Sequence, residues 1–330
     1  MDTTAARQFW IRSPGLGEIV TADLPPRQDG EVLVRARYSG VSRGTEALVF
    51  RGEVPPSQYE AMRAPFQEGL FPAPVKYGYA SVGEVLGGPD GLRGRDVFCL
   101  FPHQDVYCLP QTAVTPLPDG LPAARAVLAA NMETALNATW DARPVPGDRI
   151  VVVGAGVVGL LVAYLCARLP GAEVVVCDVD SGRARVCGAL GLSFTAEPPV
   201  GADADLVFHA SGHEQGLVTS LASAGLEATV VELSWYGSQQ VRLPLGEAFH
   251  SRRLTLKSSQ VGRIPAERAA RWSHSRRMAK ALELLLDPRL DALVSGESDF
   301  EDLPHVMAKL AADPAGALCH RIRYSHATPA

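Results

Sequence analysis

The chain has 330 residues, and its 31 Lys and Arg against 36 Asp and Glu give a formal net charge of −5. Hydrophobic residues make up 47% of it, so the length and composition fit two domains with packed cores. The acidic balance argues against a nucleic-acid partner, which needs a basic surface. The apolar stretches at 151–153 and 157–165 are too short to cross a bilayer, so we expect no membrane partner either.

The N-terminal sequence MDTTAARQFW lacks a basic region followed by an apolar one, and it therefore predicts no secretory signal. The six cysteines are scattered without a CxxC pair: Cys99, Cys108, Cys166, Cys177, Cys187 and Cys319. This pattern favours reduced thiols over a disulfide framework, so we expect a cytoplasmic protein.

Short predicted strands separated by Gly and Pro dominate the first part of the chain, for example at 31–38, 80–86 and 96–101. An Ala- and Leu-rich helix is predicted at 123–138. Strands and helices then alternate: strands at 150–156, 173–178, 204–211, 228–233 and 253–260, and helices at 157–169, 182–190, 215–223 and 266–286, before a last strand at 316–324. Apolar strands that alternate with helices indicate a parallel sheet covered on both faces, and hence an α/β fold.

A glycine-rich loop, Gly154-Ala155-Gly156-Val157-Val158-Gly159, joins the strand at 150–156 to the following helix. Gly154 would allow a tight turn, Gly156 the approach of a pyrophosphate to the backbone, and Gly159 close packing of helix on strand. The helix N-terminus would supply N–H groups to the phosphates. Asp178 ends the next strand and would accept hydrogen bonds from an adenosine ribose. We therefore predict a dinucleotide site.

The Asp178 carboxylate would repel a 2′-phosphate, so NAD is favoured over NADP. Arg183 and Arg185 could offset this repulsion if they turn inward, or they could simply face solvent. The other predicted cofactor contacts flank the loop or follow strands at the carboxyl edge of the sheet, where such folds bind ligands: Val157, Val158, Val179, Ser211, Gly212, Leu233 and Ser234.

The whole pattern resembles the medium-chain dehydrogenase/reductase superfamily. The residues that carry the resemblance are Gly78-x4-Gly83-x-Val85, GRDV at 94–97, TPLPDG at 115–120, PGD at 146–148, the loop at 154–159 with Asp178, and the tail at 300–324. The resemblance implies a GroES-like catalytic domain at 1–130, a Rossmann domain at 131–262 and a return to the first domain at 263–330. It also implies hydride transfer in an interdomain cleft and a homodimer.

Zinc-dependent members of this superfamily place a Cys in G-[IV]-C-x-[ST]-D and a His in G-H-E. Here the first stretch, 40–46, contains no thiol, and the second is Gly78-Tyr79-Ala80. A third ligand position near 129–132 offers no soft ligand. We therefore expect no bound metal. The alternative is a zinc site built from Cys99, His103 and Cys108, should the loop between the two cysteines be a hairpin.

The stretch SRGTE at 42–46, followed by the Gly78-Tyr79 pair, also resembles the branch of the superfamily that contains bacteriochlorophyllide a dehydrogenase. That resemblance implies oxidation of an alcohol, whereas it identifies no substrate.

Alcohol oxidation without a metal needs a group that moves the hydroxyl proton. Thr45 aligns with the relay hydroxyl of zinc-dependent relatives, and Tyr79 replaces a zinc ligand, either as an acid or as a space-filler. Lys76 would lower the pKa of Tyr79 if the two side chains meet. Glu46 would pair with Arg43 or a backbone N–H, or act as a base, and His103 is either an acid/base group or a solvated side chain.

Candidate substrate contacts are Asn131 and Glu133, on the helix that enters the nucleotide-binding unit, and Arg263, which would meet an anionic group. The competing interpretations are helix packing for the first two and solvation of a basic helix for Arg263. We therefore expect a zinc-independent NAD(H)-dependent oxidoreductase that interconverts an alcohol and a carbonyl on a small molecule. The alternatives are a zinc-free C=C reductase and a non-catalytic NAD(H)-binding protein.

Overall fold

The computed structural model describes residues 5–313 and 316–325. The chain divides into two compact units, one formed by the residues up to Ala130 and from Met278 onward, the other by Asn131–Arg277. The sequence predicted the return to the first unit at 263. The return lies at 278 because the preceding segment belongs to the second unit, where Arg277 pairs with Glu133.

The first unit opens with β-structure, as its short alternating apolar segments predict. Its strands are β1 (Ala5–Ser13), β2 (Leu16–Asp23), β3 (Glu31–Val41), β4 (Glu68–Gly69), β5 (Val75–Lys76), β6 (Ser81–Gly87), β7 (Asp96–Cys99), β8 (Val106–Pro110) and β9 (Val114–Pro116). Its two short helices are α1 (Thr45–Phe50) and α2 (Ala123–Ala126). Single 3₁₀ turns lie at Pro56–Gln58 and Gln111–Ala113.

The second unit alternates strands and helices. After α3 (Ala129–Ala142) come β10 (Arg149–Val153), α4 (Val157–Cys166), β11 (Glu173–Cys177), α5 (Arg183–Leu190), β12 (Ser193–Thr195), β13 (Ala204–His209), α6 (Glu214–Ser223), β14 (Ala224–Glu232), β15 (Thr255–Ser258) and α7 (Ala266–Ala269). A short kinked segment at Leu245–Phe249, with non-helical backbone angles at Glu247, precedes β15.

The six strands of this unit pair in parallel in the order β12-β11-β10-β13-β14-β15. The strands are apolar because helices cover both faces of such a sheet, and in β10 the run Ile150–Val153 is buried. The chain reverses its direction of progress along the sheet between β10 and β13. Open α/β sheets bind ligands at the carboxyl ends of the strands at that switch point.

The helix α8 (His274–Leu284) leads back to the first unit, which ends with a 3₁₀ turn at Pro288–Leu293, β16 (Val294–Asp299), a 3₁₀ turn at Phe300–Asp302, α9 (Leu303–Ala312) and β17 (Cys319–Arg323). One sheet has the order β2-β1-β5-β4. The other has the order β16-β17-β3-β6-β7-β9, with β8 also paired to β3. The predicted α/β class, a β-rich unit with a parallel-sheet unit, is confirmed.

Two predicted helices are interrupted. The helix predicted at 123–138 is divided into α2 and α3, and the one predicted at 266–286 is divided into α7 and α8. In the second case Ser273 accepts a hydrogen bond from the backbone N–H of Arg276 at 3.1 Å, as a residue that caps a new helix does. No helix in the described ranges, 5–313 and 316–325, is long and apolar enough to cross a membrane.

Candidate functional site

The loop between β10 and α4 is shaped by its glycines. Gly154 has a φ of +108°, and a Cβ there would lie 2.6 Å from the carbonyl carbon of Ala210. At Gly159 a Cβ would lie 2.0 Å from the carbonyl oxygen of Gly154. Gly156 differs because a Cβ there would meet nothing within 4 Å. Two of the glycines are thus required by packing, and the third borders open space.

The N-terminus of α4 supplies donors beside that open space. Val157 and Val158 are half-buried in its first turn, where backbone N–H groups have no partner within the helix. Such N–H groups and the helix dipole favour phosphate. The loop therefore has the features of a phosphate site.

Asp178 follows β11 directly and is held by the backbone. Its Oδ2 accepts from the N–H of Ala155 at 2.6 Å, and its Oδ1 accepts from the N–H of Asp180 at 2.9 Å. A carboxylate has about four acceptor sites, so Asp178 keeps capacity for ribose hydroxyls. The neighbouring Val179 side chain is 97% exposed, an apolar surface next to that carboxylate.

Arg183 does not face solvent. Its side chain is buried, and its Nε lies 3.2 Å from Oδ2 of Asp180, whereas Arg185 is exposed. The guanidinium of Arg183 is thus already engaged by a carboxylate. The residues around Asp178 fit the adenosine half of a dinucleotide, and Arg185 is the nearby arginine that is free to move in solvent.

The predicted contacts at the ends of β13 and β14 lie together. The Ser234 hydroxyl accepts from the N–H of Gly212 at 3.1 Å, and Leu233 is bonded through its N–H to His209 O at 2.9 Å. The Ser211 backbone packs against Gly154, because a Cβ on that glycine would lie 2.6 Å from Ser211 N. Sequence reasoning missed buried His209 and half-buried Glu232 beneath these residues, since neither belongs to a known loop motif.

In the first unit, the loop before α1 gathers three hydroxyl groups. The Tyr79 phenol is hydrogen-bonded to the hydroxyls of Ser42 and Thr45. Burial and the nearby negative charge of Glu46 raise the pKa of Tyr79 to about 12, although these two hydrogen bonds act in the opposite direction. Tyr79 is therefore a neutral phenol at physiological pH and can donate a proton.

Glu46 and His103, 57 positions apart in sequence, form a buried pair. The Oε2 of Glu46 lies 2.8 Å from Nε2 of His103, and its Oε1 accepts from the N–H of Ser42 at 2.8 Å. The other ring nitrogen, Nδ1, lies 2.7 Å from the Ser39 hydroxyl, which is 2.9 Å from the phenol of Tyr324. Glu46 thus makes a backbone contact, as one prediction had it, together with a side-chain contact to His103 that the sequence did not indicate.

Lys76 lies in a different environment. Its ammonium group is buried, pairs with Glu68, and donates to the side-chain oxygen of Gln104 at 2.8 Å. Burial lowers its pKa, while Glu68 counteracts that effect. Because its partners are Glu68 and Gln104, Lys76 does not make the contact that would lower the pKa of Tyr79.

The described residues contain no group of three or more His, Cys, Asp and Glu arranged to hold a metal ion. In particular, Cys99, His103 and Cys108 do not converge. Burial raises the pKa of Cys99 to about 12 and also raises that of Cys108, and His103 is engaged by Glu46 and Ser39. The expectation of a zinc-free protein stays a prediction that metal analysis can test.

The candidate substrate residues have different surroundings. Glu133 is buried, and its Oε1 accepts a hydrogen bond from Nε of Arg277 at 3.0 Å. Nη1 of the same arginine donates to the side-chain oxygen of Asn137 at 2.5 Å. Burial raises the pKa of Glu133, and Arg277 opposes that effect. Asn131 is half-buried and Arg263 is exposed. The Glu133 carboxylate is therefore committed to an internal network, and the role of Arg277 in it was not foreseen.

No protein-family model matches the chain. Among curated proteins, it is 26% identical over 207 residues to YdjJ of Escherichia coli strain K12, an uncharacterized zinc-type alcohol dehydrogenase-like protein. That alignment spans 55% of this chain and 59% of the relative's length. It is 23% identical over 291 residues to D-guloside 3-dehydrogenase of the same strain, which covers 79% of this chain and 83% of that enzyme.

A solved alcohol dehydrogenase from E. coli CFT073, complexed with NADH, superposes with a TM-score of 0.76 at 15% identity, covering 97% of this chain and 99% of that one. At this identity the likeness concerns the fold alone. The sequence similarity is thus to alcohol dehydrogenase-like oxidoreductases, and the solved structure adds a likeness of fold.

Proposed function

We propose that the protein is a zinc-independent, NAD(H)-dependent oxidoreductase that interconverts an alcohol and a carbonyl group on a polyhydroxylated small molecule. The observation that carries the proposal is the glycine loop that opens α4, with Asp178 held at the end of the next parallel strand. The substrate class is supported by the similarity to D-guloside 3-dehydrogenase, which spans 79% of the chain.

The cofactor would be held by residues whose geometry fits it. Gly156 leaves room at the N-terminus of α4 for phosphates, and Asp178 retains acceptors for ribose hydroxyls. A 2′-phosphate would meet the negative charge of Asp178 with Arg183 already paired, which supports NAD over NADP. A nicotinamide cofactor, when bound, supplies the hydride that the protein's own side chains cannot. The NADH complex of the structurally similar alcohol dehydrogenase supports this choice.

Tyr79 would supply the proton. In the reducing direction, its O–H would donate to the carbonyl oxygen while Ser42 and Thr45 hydrogen-bond the phenol oxygen. Burial, and after it the negative charge of Glu46, would keep the proton on Tyr79 in the resting protein, because both disfavour a phenolate. The pairing of Glu46 with His103 fixes that charge in place.

The proposal that the protein needs no zinc is supported by the chemistry of two residues. The positions that resemble zinc-ligand positions hold Ser42 and Tyr79, and these two side chains are hydrogen-bonded to each other. A hydroxyl and a neutral phenol are poor zinc ligands beside the thiolates, imidazoles and carboxylates that zinc prefers.

Elemental analysis combined with turnover tests the proposal. After dialysis against a mild chelator, we expect less than about a tenth of an equivalent of zinc, with NADH oxidation retained on a panel of ketoses and keto-glycosides. About one equivalent of zinc, with activity lost on its removal, would contradict zinc independence. Reduction at carbon–carbon in an α,β-unsaturated ketone would favour the C=C reductase, and NADH binding without any turnover would favour a non-catalytic protein.

A matched pair of variants tests the proton donor. Tyr79→Phe should lower kcat about 100-fold and leave the Kd for NADH unchanged, because only the proton-donating oxygen is removed. The control is Tyr38→Phe, a half-buried tyrosine in the same unit whose ring lies under Arg321. Equal rates for the two variants would remove Tyr79 from the mechanism.

A further inference from the structure

The second unit contains a chain of hydrogen bonds around buried His209 at the carboxyl edge of its sheet. Nδ1 of His209 lies 2.7 Å from Oε2 of Glu232, and Nε2 lies 2.6 Å from the hydroxyl of Ser211. The imidazole is fully buried, and both of its nitrogens are engaged. The chain joins the ends of two adjacent parallel strands, since His209 closes β13 and Glu232 closes β14.

The direction of these bonds follows from the acceptors. Glu232 also accepts from the N–H of Ser234 at 2.6 Å and from the phenol of Tyr236 at 3.0 Å. Burial raises the pKa of Glu232, but the bonds from His209 and Ser234 outweigh burial, so the net shift is downward. Glu232 is therefore a carboxylate that receives the Nδ1–H of His209. In the neutral imidazole, Nε2 is then an acceptor.

Ser211 must then direct its O–H at Nε2 of His209. Its oxygen also accepts from the N–H of His213 at 3.2 Å. One donor and one acceptor site of the hydroxyl are thus committed inside the protein. A single lone pair is left for a ligand, so the network turns Ser211 from a group that can donate or accept into one that can only accept.

The position of Ser211 indicates what it would meet. Its backbone packs against Gly154 of the phosphate loop, at the switch point between β10 and β13. Asp178, which fits the adenosine half, lies beyond β11 on the other side of β10. The ends of β13 and β14 therefore border the second half of a dinucleotide.

A Ser–His–Glu chain is also the arrangement of an acyl-transfer nucleophile, but the surrounding donors do not fit that chemistry. Such a site needs free backbone N–H groups for an oxyanion. Here the N–H of Gly212 donates to Ser234, and that of His213 donates to Ser211 itself. The hydroxyl fits a binding role rather than an attacking one.

We propose that His209 and Glu232 are positioning residues that hold Ser211 as an obligate acceptor for a hydrogen-bond donor on the nicotinamide half of the cofactor. This inference rests on the proposed function. It adds a role for two side chains that would not themselves touch the cofactor.

Binding of NADH and of ADP, which lacks the nicotinamide half, tests the proposal. Ser211→Ala and Glu232→Gln should each raise the Kd for NADH about three- to tenfold, the range expected for one hydrogen bond. The Kd for ADP should stay within about twofold of the wild-type value. The Kd of the double variant for NADH should not exceed the higher of the two single-variant values, because Glu232 acts through Ser211.

Ser223→Ala is the matched control, since its hydroxyl bonds to Thr219 O within α6. If Glu232→Gln fails to fold, His209→Phe keeps a ring and should give the same NADH-specific loss. The proposal is overturned if Ser211→Ala binds NADH like the control, or if the Kd for ADP rises as much as the Kd for NADH. It is also overturned if the increases in Kd of the two single variants multiply in the double variant. A wild-type protein that binds neither NADH nor NADPH would instead overturn the proposed function itself.

Discussion

Alanine substitutions at two glycines of the same loop should have opposite consequences. A Cβ at Gly159 would lie 2.0 Å from Gly154 O and 3.3 Å from Cβ of Ala210, both on tightly packed segments. A Cβ at Gly156 would meet nothing within 4 Å, and the backbone there, with φ −75° and ψ 176°, suits alanine. One substitution tests packing, and the other tests the open space.

The magnitudes follow from these distances. The methyl group added by Gly159→Ala must displace the nearby backbone by about an ångström or more. We therefore expect the free energy of unfolding to fall by about 3 kcal/mol, the upper end of the range for overpacked substitutions. At about 2.1 cal/mol/K per residue, that loss corresponds to a fall in Tm of about 4 °C for a chain of 330 residues. Gly156→Ala should leave the free energy of unfolding unchanged or raise it by up to about 1 kcal/mol, because alanine restricts the unfolded chain.

Cofactor binding should separate the two variants further. Gly156→Ala places a methyl where phosphates would approach the N-terminus of α4, so its Kd for NADH should rise at least about tenfold while the fold is intact. Thermal denaturation and NADH fluorescence titration measure the two effects. Wild-type NADH affinity in a folded Gly156→Ala protein would refute the assignment of this loop as the cofactor site, and an unchanged Tm for Gly159→Ala would refute the packing argument.

Three further predictions concern charge and reactivity. The pKa of Tyr79 is raised from 10 to about 12 in the folded protein, so its contribution to stability is complete below pH 10 and is lost as the pH rises to 12. In Tyr79→Phe, the free energy of unfolding should therefore fall less steeply between pH 10 and pH 12 than in the wild type. Arg277→Met leaves the Glu133 carboxylate buried without its partner and should cost about 3–5 kcal/mol in urea unfolding, largely restored by adding Glu133→Leu. At pH 8 a thiol reagent should modify half-buried Cys108 first, and the five buried cysteines only after unfolding; rapid labelling of Cys99 in the native protein would contradict its burial.

The parts of the fold that could be predicted from the sequence are those that depend on residues close together in the chain. The apolar run of β10, the glycines after it and the acid that ends β11 lie within 30 positions of one another, and their order indicates a dinucleotide-binding unit. The break between α7 and α8 was harder to foresee. Ser273 caps a new helix inside a stretch that is otherwise continuous in helix-forming residues.

The side-chain pairs of the candidate site could not be predicted in the same way. Glu46 and His103 meet although they are 57 positions apart, and Glu133 meets Arg277 across 144 positions. Neither pair has a local spacing that signals it, because contacts of this kind depend on how distant elements pack. The same holds for Lys76, whose sequence neighbour Tyr79 is not among its partners, since its ammonium group pairs with Glu68 and Gln104.

Each unit contains a carboxylate–imidazole–hydroxyl chain, and the carboxylate meets a different ring nitrogen in each. In the first unit, Glu46 lies 2.8 Å from Nε2 of His103, whose Nδ1 lies 2.7 Å from the Ser39 hydroxyl. In the second unit, Glu232 lies 2.7 Å from Nδ1 of His209. His103 is 1% exposed with both nitrogens bonded, so it cannot touch a substrate. Burial, and after it the negative charge of Glu46, raises the pKa of Tyr79 and so favours its neutral phenol. These observations support the proposal that Tyr79, and not His103, delivers the proton.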